Sequence, residues 1–175
     1  MTAEPLQSLA RISVVGVSGA GKSTVARAAA GHLRVPYIEL DAIYHGPNWT
    51  PIPDSALRRI VAELVRGDAW VIDGSYRQVR DLVWSRATTV VWVDLPKPVV
   101  MAQVIWRSGQ RAVTREKLWQ GNREDIRSWV DPEHPIRWAL STYGQRRAEY
   151  EALMAAHWVR LRSRAEVRRW LDGLR

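Results

Sequence analysis

Cysteine is missing from all 175 residues, which excludes both a disulfide framework and a thiolate metal site. Phenylalanine is missing too, so ten tryptophans and five tyrosines supply the aromatic packing. Lysine is scarce: Lys22, Lys97 and Lys117 are the three, which leaves 23 arginines among 26 basic residues (26 − 3). No apolar stretch approaches the roughly 18 residues that a membrane span needs. The opening MTAEPLQSLARISVVGV has neither a basic leader region nor a long apolar run. A cytoplasmic protein without a membrane partner is expected, as a monomer or a homodimer.

What is present is an ordinary globular composition, 46% hydrophobic and 25% charged, over a length that suits one domain with a sizeable core. The net charge of +8 is less ordinary. It implies either a surface for nucleotides, phosphorylated substrates or nucleic acid, or arginines whose stems cover apolar helix faces.

Strands and helices alternate along the chain. Arg11–Val15 reads as a buried parallel strand ending at glycine, followed by a helix from Lys22 to about Leu33. A strand over Val35–Leu40 leads to Asp41, and the proline-rich His45–Pro53 reads as a loop. Asp54 suits an N-cap for a helix with Leu57, Ile60, Val61, Leu64 and Val65 on one face, closed by Gly67. The strand Ala69–Ile72, a short helix near Gln78–Arg86 and the strand Thr88–Val93 follow. A helix after Pro96 is expected to stop near Gly109, and a long one to span Pro132–Ala156 with Ile136, Leu140, Tyr143, Tyr150 and Met154 inward. The strand His157–Leu161 then meets a last helix opened by the capping box Ser163–Glu166. This order implies a single α/β domain: a three-layer fold with a five-stranded parallel sheet, order 2-3-1-4-5, and helices on both faces.

Gly16-Val-Ser18-Gly19-Ala20-Gly21-Lys22-Ser23 matches G-x-x-x-x-G-K-[ST] in full, after an apolar strand and before a helix. In that context the backbone N–H groups form a concave nest for phosphate oxygens, aided by the helix N-terminus. Lys22 is expected to reach the β- and γ-phosphates of ATP, Ser23 to ligate Mg2+ and Thr24 to add a hydrogen bond. Neither asparagine, Asn48 or Asn122, lies in an N-K-x-D guanine-reading motif, which argues against an ordinary GTPase.

Asp73-Gly74-Ser75-Tyr76-Arg77 is similar to the D-G-F-P-R segment of adenylate kinases. More closely, the chain resembles the adenylate-kinase-related topology modulation proteins of bacteria. The matching stretches are Leu40-Asp41-Ala-Ile-Tyr44-His45, Trp70-Val-Ile-Asp73-Gly74-Ser-Tyr76 and Val93-Asp94-Leu95-Pro96. Shikimate- and gluconate-type kinases belong to the same wider group. The resemblance implies an ATP- and Mg2+-dependent phosphotransferase acting on a small acceptor, a nucleotide or nucleoside first. It departs from adenylate kinases at Ser18, where they carry proline, and at Ser75-Tyr76, where they carry Phe-Pro.

Asp41 and Asp73 end strands beside the P-loop strand, at the sheet edge where such folds bind ligands. Asp73 is assigned to Mg2+ through water, and Asp41 to orienting or deprotonating the acceptor. The acceptor loop, about 41–53, supplies Tyr44, His45, Asn48 and Trp49, joined by Gly74, Tyr76 and Arg77. An arginine-rich lid is expected over about 107–130. There Arg107 and Arg111 share one helix face toward the phosphates, with Arg115 and Arg123 beyond them. Ser163 and Arg164 are expected to border the adenine. The alternative is a nucleic-acid-associated ATP-binding protein or a polynucleotide 5′-kinase, suggested by the net charge of +8.

Overall fold

A computed structural model describes residues 10–114 and 135–175, with the backbone alone at 48, 111–114 and 135–139. The chain runs β1 (Arg11–Val15), α1 (Lys22–Leu33), β2 (Tyr37–Glu39), α2 (Leu40–Tyr44), a 3-10 turn (Pro47–Trp49), α3 (Asp54–Leu64), β3 (Trp70–Asp73) and α4 (Arg80–Trp84). It continues with β4 (Thr89–Val93), α5 (Lys97–Thr114), α6 (Pro135–Leu153), β5 (Trp158–Leu161) and α7 (Arg164–Asp172). The strands form one parallel sheet in the order β2-β3-β1-β4-β5, as the sequence implied.

Alternation along each strand divides the core into two layers. Ile12, Val14, Val71, Val91 and Val93 pack with Val25, Ala29 and Leu33 of α1, Val100 and Val104 of α5, and the half-buried face of α7. On the opposite face Trp70 and Ile72 meet Leu57 and Val61 of α3, while Val15, Val90 and Trp92 meet Tyr150 of α6. Burying a valine of this kind is worth about 1.5 kcal/mol or more. Because every strand runs the same way, the residues after β1, β2, β3, β4 and β5 gather at one edge.

Several boundaries differ from the sequence expectations for local reasons. The second strand is shorter: Leu40 and Asp41 already belong to α2. Asp54 is the first residue of α3 rather than its cap, Pro53 occupying the cap position, and Ile60 lies outward at 37% exposure. Helix α5 runs through Gly109 to Thr114. Gly109 lacks the positive φ of a helix stop, and a mid-helix glycine costs only about 1 kcal/mol. Of the residues expected inward on α6, Tyr143 and Tyr150 are buried, but Leu140 and Met154 are 51% and 40% exposed. Ile136 lies outside the residues whose side chains are described. Among the described residues no helix is long and apolar enough to cross a membrane.

Candidate functional site

The P-loop occupies the turn between β1 and α1. Gly21 stands at the α1 N-cap with φ 90°, and a Cβ there would point into open space. Gly19, at φ 81°, is instead crowded: a Cβ would collide with Cγ2 of Val104 on α5. Glycine thus serves two ends, an open cradle at position 21 and close helix packing at position 19. Ala20 is buried, its N–H bonded to Val17 O at 3.2 Å, while Ser18 is half-buried and Thr24 exposed at the start of α1. With its amide oriented to suit both neighbours, Gln103 of α5 donates to Gly19 O at 2.6 Å and accepts from Arg164 Nη2 at 3.2 Å. Arg164 is thereby tied to the loop.

Lys22 donates from Nζ to Val17 O at 3.2 Å. Its stem keeps some contact with solvent, yet burial of the ammonium pulls its pKa below the usual lysine value, against the opposing pull of Asp73 and Asp41. Arg107 and Arg146 add to the lowering, so both guanidiniums bear on the same ammonium.

Asp73 ends β3 with 4% exposure. Oδ2 accepts from the Tyr37 hydroxyl at 3.1 Å, and Oδ1 is buried without a completed hydrogen bond. Burial raises the carboxyl pKa; Lys22, the nearby Ser23 hydroxyl and Tyr37 oppose the rise, and Asp41 adds to it. A buried carboxylate oxygen short of a partner, beside a serine hydroxyl, fits a magnesium ion, which takes one or two protein oxygens and leaves the rest to water and phosphate. Among the described residues no group of three or more acidic or imidazole side chains forms a complete metal cage.

Asp41 lies in the first turn of α2, and its Oδ1 accepts from the Tyr76 hydroxyl at 2.6 Å. Burial, then the Asp41 charge and that bond, drive the Tyr76 pKa far above its ordinary value, so the phenol keeps its proton. Tyr76 packs on Tyr44 at 4.4 Å between centroids, Tyr44 on His45 at 5.0 Å, and His45 on Trp49 at 5.5 Å. Backbone bonds from Gly46 N to Thr50 O and from Ile52 N to Tyr44 O close this loop on itself. Gly74 anchors the segment after β3 through its N–H to Val14 O at 3.1 Å.

The fold therefore brings Lys22, Ser23, Asp41, Asp73, Tyr76 and Arg107 to one edge. Arg77 is held elsewhere: its guanidinium pairs with Glu149 of α6 at 3.1 Å, alongside Arg80 at 2.8 Å. The side chain of Arg111, and Arg115 and Arg123 altogether, lie outside the described residues. Asp94 is also at the sheet edge but is locked between Arg147 and Arg160. Sequence reasoning missed Tyr37, Gln103, Arg146 and Glu149. Gln103 left a trace, a polar residue on the apolar face of α5 beside Val100 and Val104; the other three owe their roles to long-range packing.

Comparison with solved structures follows this geometry. A shikimate kinase from Acinetobacter baumannii in complex with shikimate aligns over 96% of this chain and 92% of its own, at 19% identity and TM-score 0.62. A gluconokinase from Sinorhizobium meliloti aligns over 95% and 92%, at 23% identity and TM-score 0.55. A shikimate kinase from Bacteroides thetaiotaomicron aligns over 94% and 96%, at 16% identity and TM-score 0.58. The fold is that of the P-loop kinases. No family model and no curated protein matches the chain. Within the P-loop kinase fold, an apolar cavity of about 520 Å³ lies beside Arg164, lined by Pro98, Val99 and Ala102 among others.

Proposed function

We propose that the protein is an ATP- and Mg2+-dependent kinase that transfers the γ-phosphoryl group to a small acceptor. The observation that carries this is that the P-loop after β1, Asp41 after β2 and the buried Asp73 at the end of β3 share one sheet edge, with Asp41 held by the Tyr76 hydroxyl at 2.6 Å. A binding module needs the phosphate cradle alone. A transferase also needs a group for the acceptor proton, and the Asp41 carboxylate, held at the same edge by Tyr76, supports that role.

In this reading the backbone from Gly16 to Ser23 cradles the ATP phosphates, and Lys22 leaves Val17 O for the β- and γ-phosphate oxygens. Ser23 and Asp73 would hold Mg2+, whose charge offsets that of the phosphates. Asp41, fixed by Tyr76, accepts the proton of the acceptor hydroxyl. The acceptor oxygen bonds to the γ-phosphorus as the bond to the β-phosphate bridge breaks, so ADP leaves. Arg107, and Arg111, Arg115 and Arg123 from the lid, neutralise charge on the transferring group. The cavity beside Arg164 suits a flat base, with Ser163 and Arg164 at its rim.

For the acceptor, the segments around Asp41 and Asp73 favour a nucleotide or nucleoside of the adenylate-kinase-like type. The commitment of Arg77 to Glu149, and the likeness to shikimate kinase and gluconokinase, support a hydroxyl acceptor over a phosphate one. A screen of nucleosides, nucleoside monophosphates and hydroxy acids for acceptor-stimulated ADP formation tests this. Folded, ATP-binding protein that no acceptor stimulates would refute it.

A further inference from the structure

We infer that the cavity beside the turn between β4 and α5 is a second anion site, built for a small phosphate-bearing ligand and separate from the P-loop. The cavity holds about 370 Å³ and is lined by Asp94, Pro96, Lys97, Tyr143, Arg147 and Arg162. Half of that lining is cationic. Concave walls with an excess of one charge sign focus their field, where the same charges on a convex surface would be screened singly by water.

The one acid in the lining is already committed. Asp94 is 6% exposed and accepts from Arg147 Nε at 3.0 and 3.3 Å and from Arg160 Nε at 2.8 Å. Asp94 therefore faces two guanidiniums, of which Arg160, outside the lining, also pairs with Glu151 at 3.0 Å. Among the described residues neither the Lys97 ammonium nor the Arg162 guanidinium has an acidic partner. The nearby Glu166 accepts from the backbone N–H of Arg162 at 2.7 Å, not from its side chain. The balance of charge in the cavity is positive.

Its floor is rigid and neutral. Tyr143 is 8% exposed and donates its hydroxyl to Leu95 O at 3.0 Å, with Lys97 Nζ 5.9 Å from its ring centroid. The Arg162 guanidinium, the Lys97 ammonium and the Arg147 N–H groups not spent on Asp94 surround such a floor and match the several oxygens of a phosphate group. Pro96 and Arg162 also line the larger cavity next door, so the two cavities share a wall.

The site stands independently of the kinase reading, and its test separates the two. Methyl phosphate is titrated into ¹⁵N-labelled full-length protein while amide and arginine Nε resonances are followed by residue. Saturable shifts are expected at Lys97, Tyr143, Arg147 and Arg162, weakening as salt rises. In Lys97→Ala/Arg162→Ala their midpoint should weaken about tenfold or more, which equals about 1.4 kcal/mol. Any shifts at Gly16–Ser23 should keep their midpoint. Both replaced side chains are exposed, so the core is untouched, and an unchanged melting temperature checks this. Shifts confined to Gly16–Ser23, or an unaltered midpoint in the double variant, would overturn the site.

Discussion

Tyr76 donates its hydroxyl to Asp41 across 2.6 Å, joining the segment after β3 to the first turn of α2. The bond occupies one carboxylate oxygen and leaves the other for an acceptor. Tyr76→Phe should therefore loosen Asp41 without removing it. A fall of about tenfold in kcat/KM for the acceptor is expected, with KM for ATP unchanged. Asp41→Asn should cost more, about 10²–10⁴ in kcat, since it removes the proposed proton acceptor itself. Steady-state kinetics in both substrates checks the pair of effects.

Asp73 is buried at the end of β3, 4% exposed. Its folded pKa is raised by burial, so the native state favours the protonated form, and ionisation weakens the fold as pH rises from the unfolded value of 3.8 through the folded one. Asp73→Asn should match wild-type stability in acid and exceed it at neutral pH, while losing Mg2+-dependent transfer. Urea melts at several pH values, paired with activity, check both halves.

Gly19 touches Val104, and its φ of 81° disfavours any side chain. Gly19→Ala should destabilise by about 1–3 kcal/mol through overpacking. Adding Val104→Ala should recover part of that loss, leaving the backbone strain. A double-mutant cycle in thermal denaturation measures the coupling.

The central sheet was legible because parallel strands buried on both faces read as apolar runs, as in RISVV and TTVVWV. The P-loop was legible because its chemistry depends on residue types at fixed spacing. The end of α5 was not, since Gly109 looks the same in sequence whether it stops a helix or is carried through one. The commitment of Arg77 was hidden for a different reason: Glu149 is 72 residues away, and the arginine reaches it only once α6 crosses the sheet.

Glu149 accepts from Arg77 and Arg80 and lies 3.7 Å from Arg146. Glu149 and Arg80 have side chains only 16% and 15% exposed, so Glu149→Ala strands a mostly buried cation. A loss of about 3 kcal/mol is expected in chemical denaturation. Glu149→Gln, which keeps a hydrogen-bond acceptor, should lose less.

Delivery of a phosphoryl group from the proposed Lys22 cradle is read by label transfer. Wild-type protein and Lys22→Ala are incubated with γ-labelled ATP, Mg2+ and the acceptor that best stimulates ADP formation. Label is expected on the acceptor, in step with ADP, in the wild type, with a fall of about 10² or more in the folded variant. Label released only as free phosphate, or equal transfer by Lys22→Ala, would contradict that delivery.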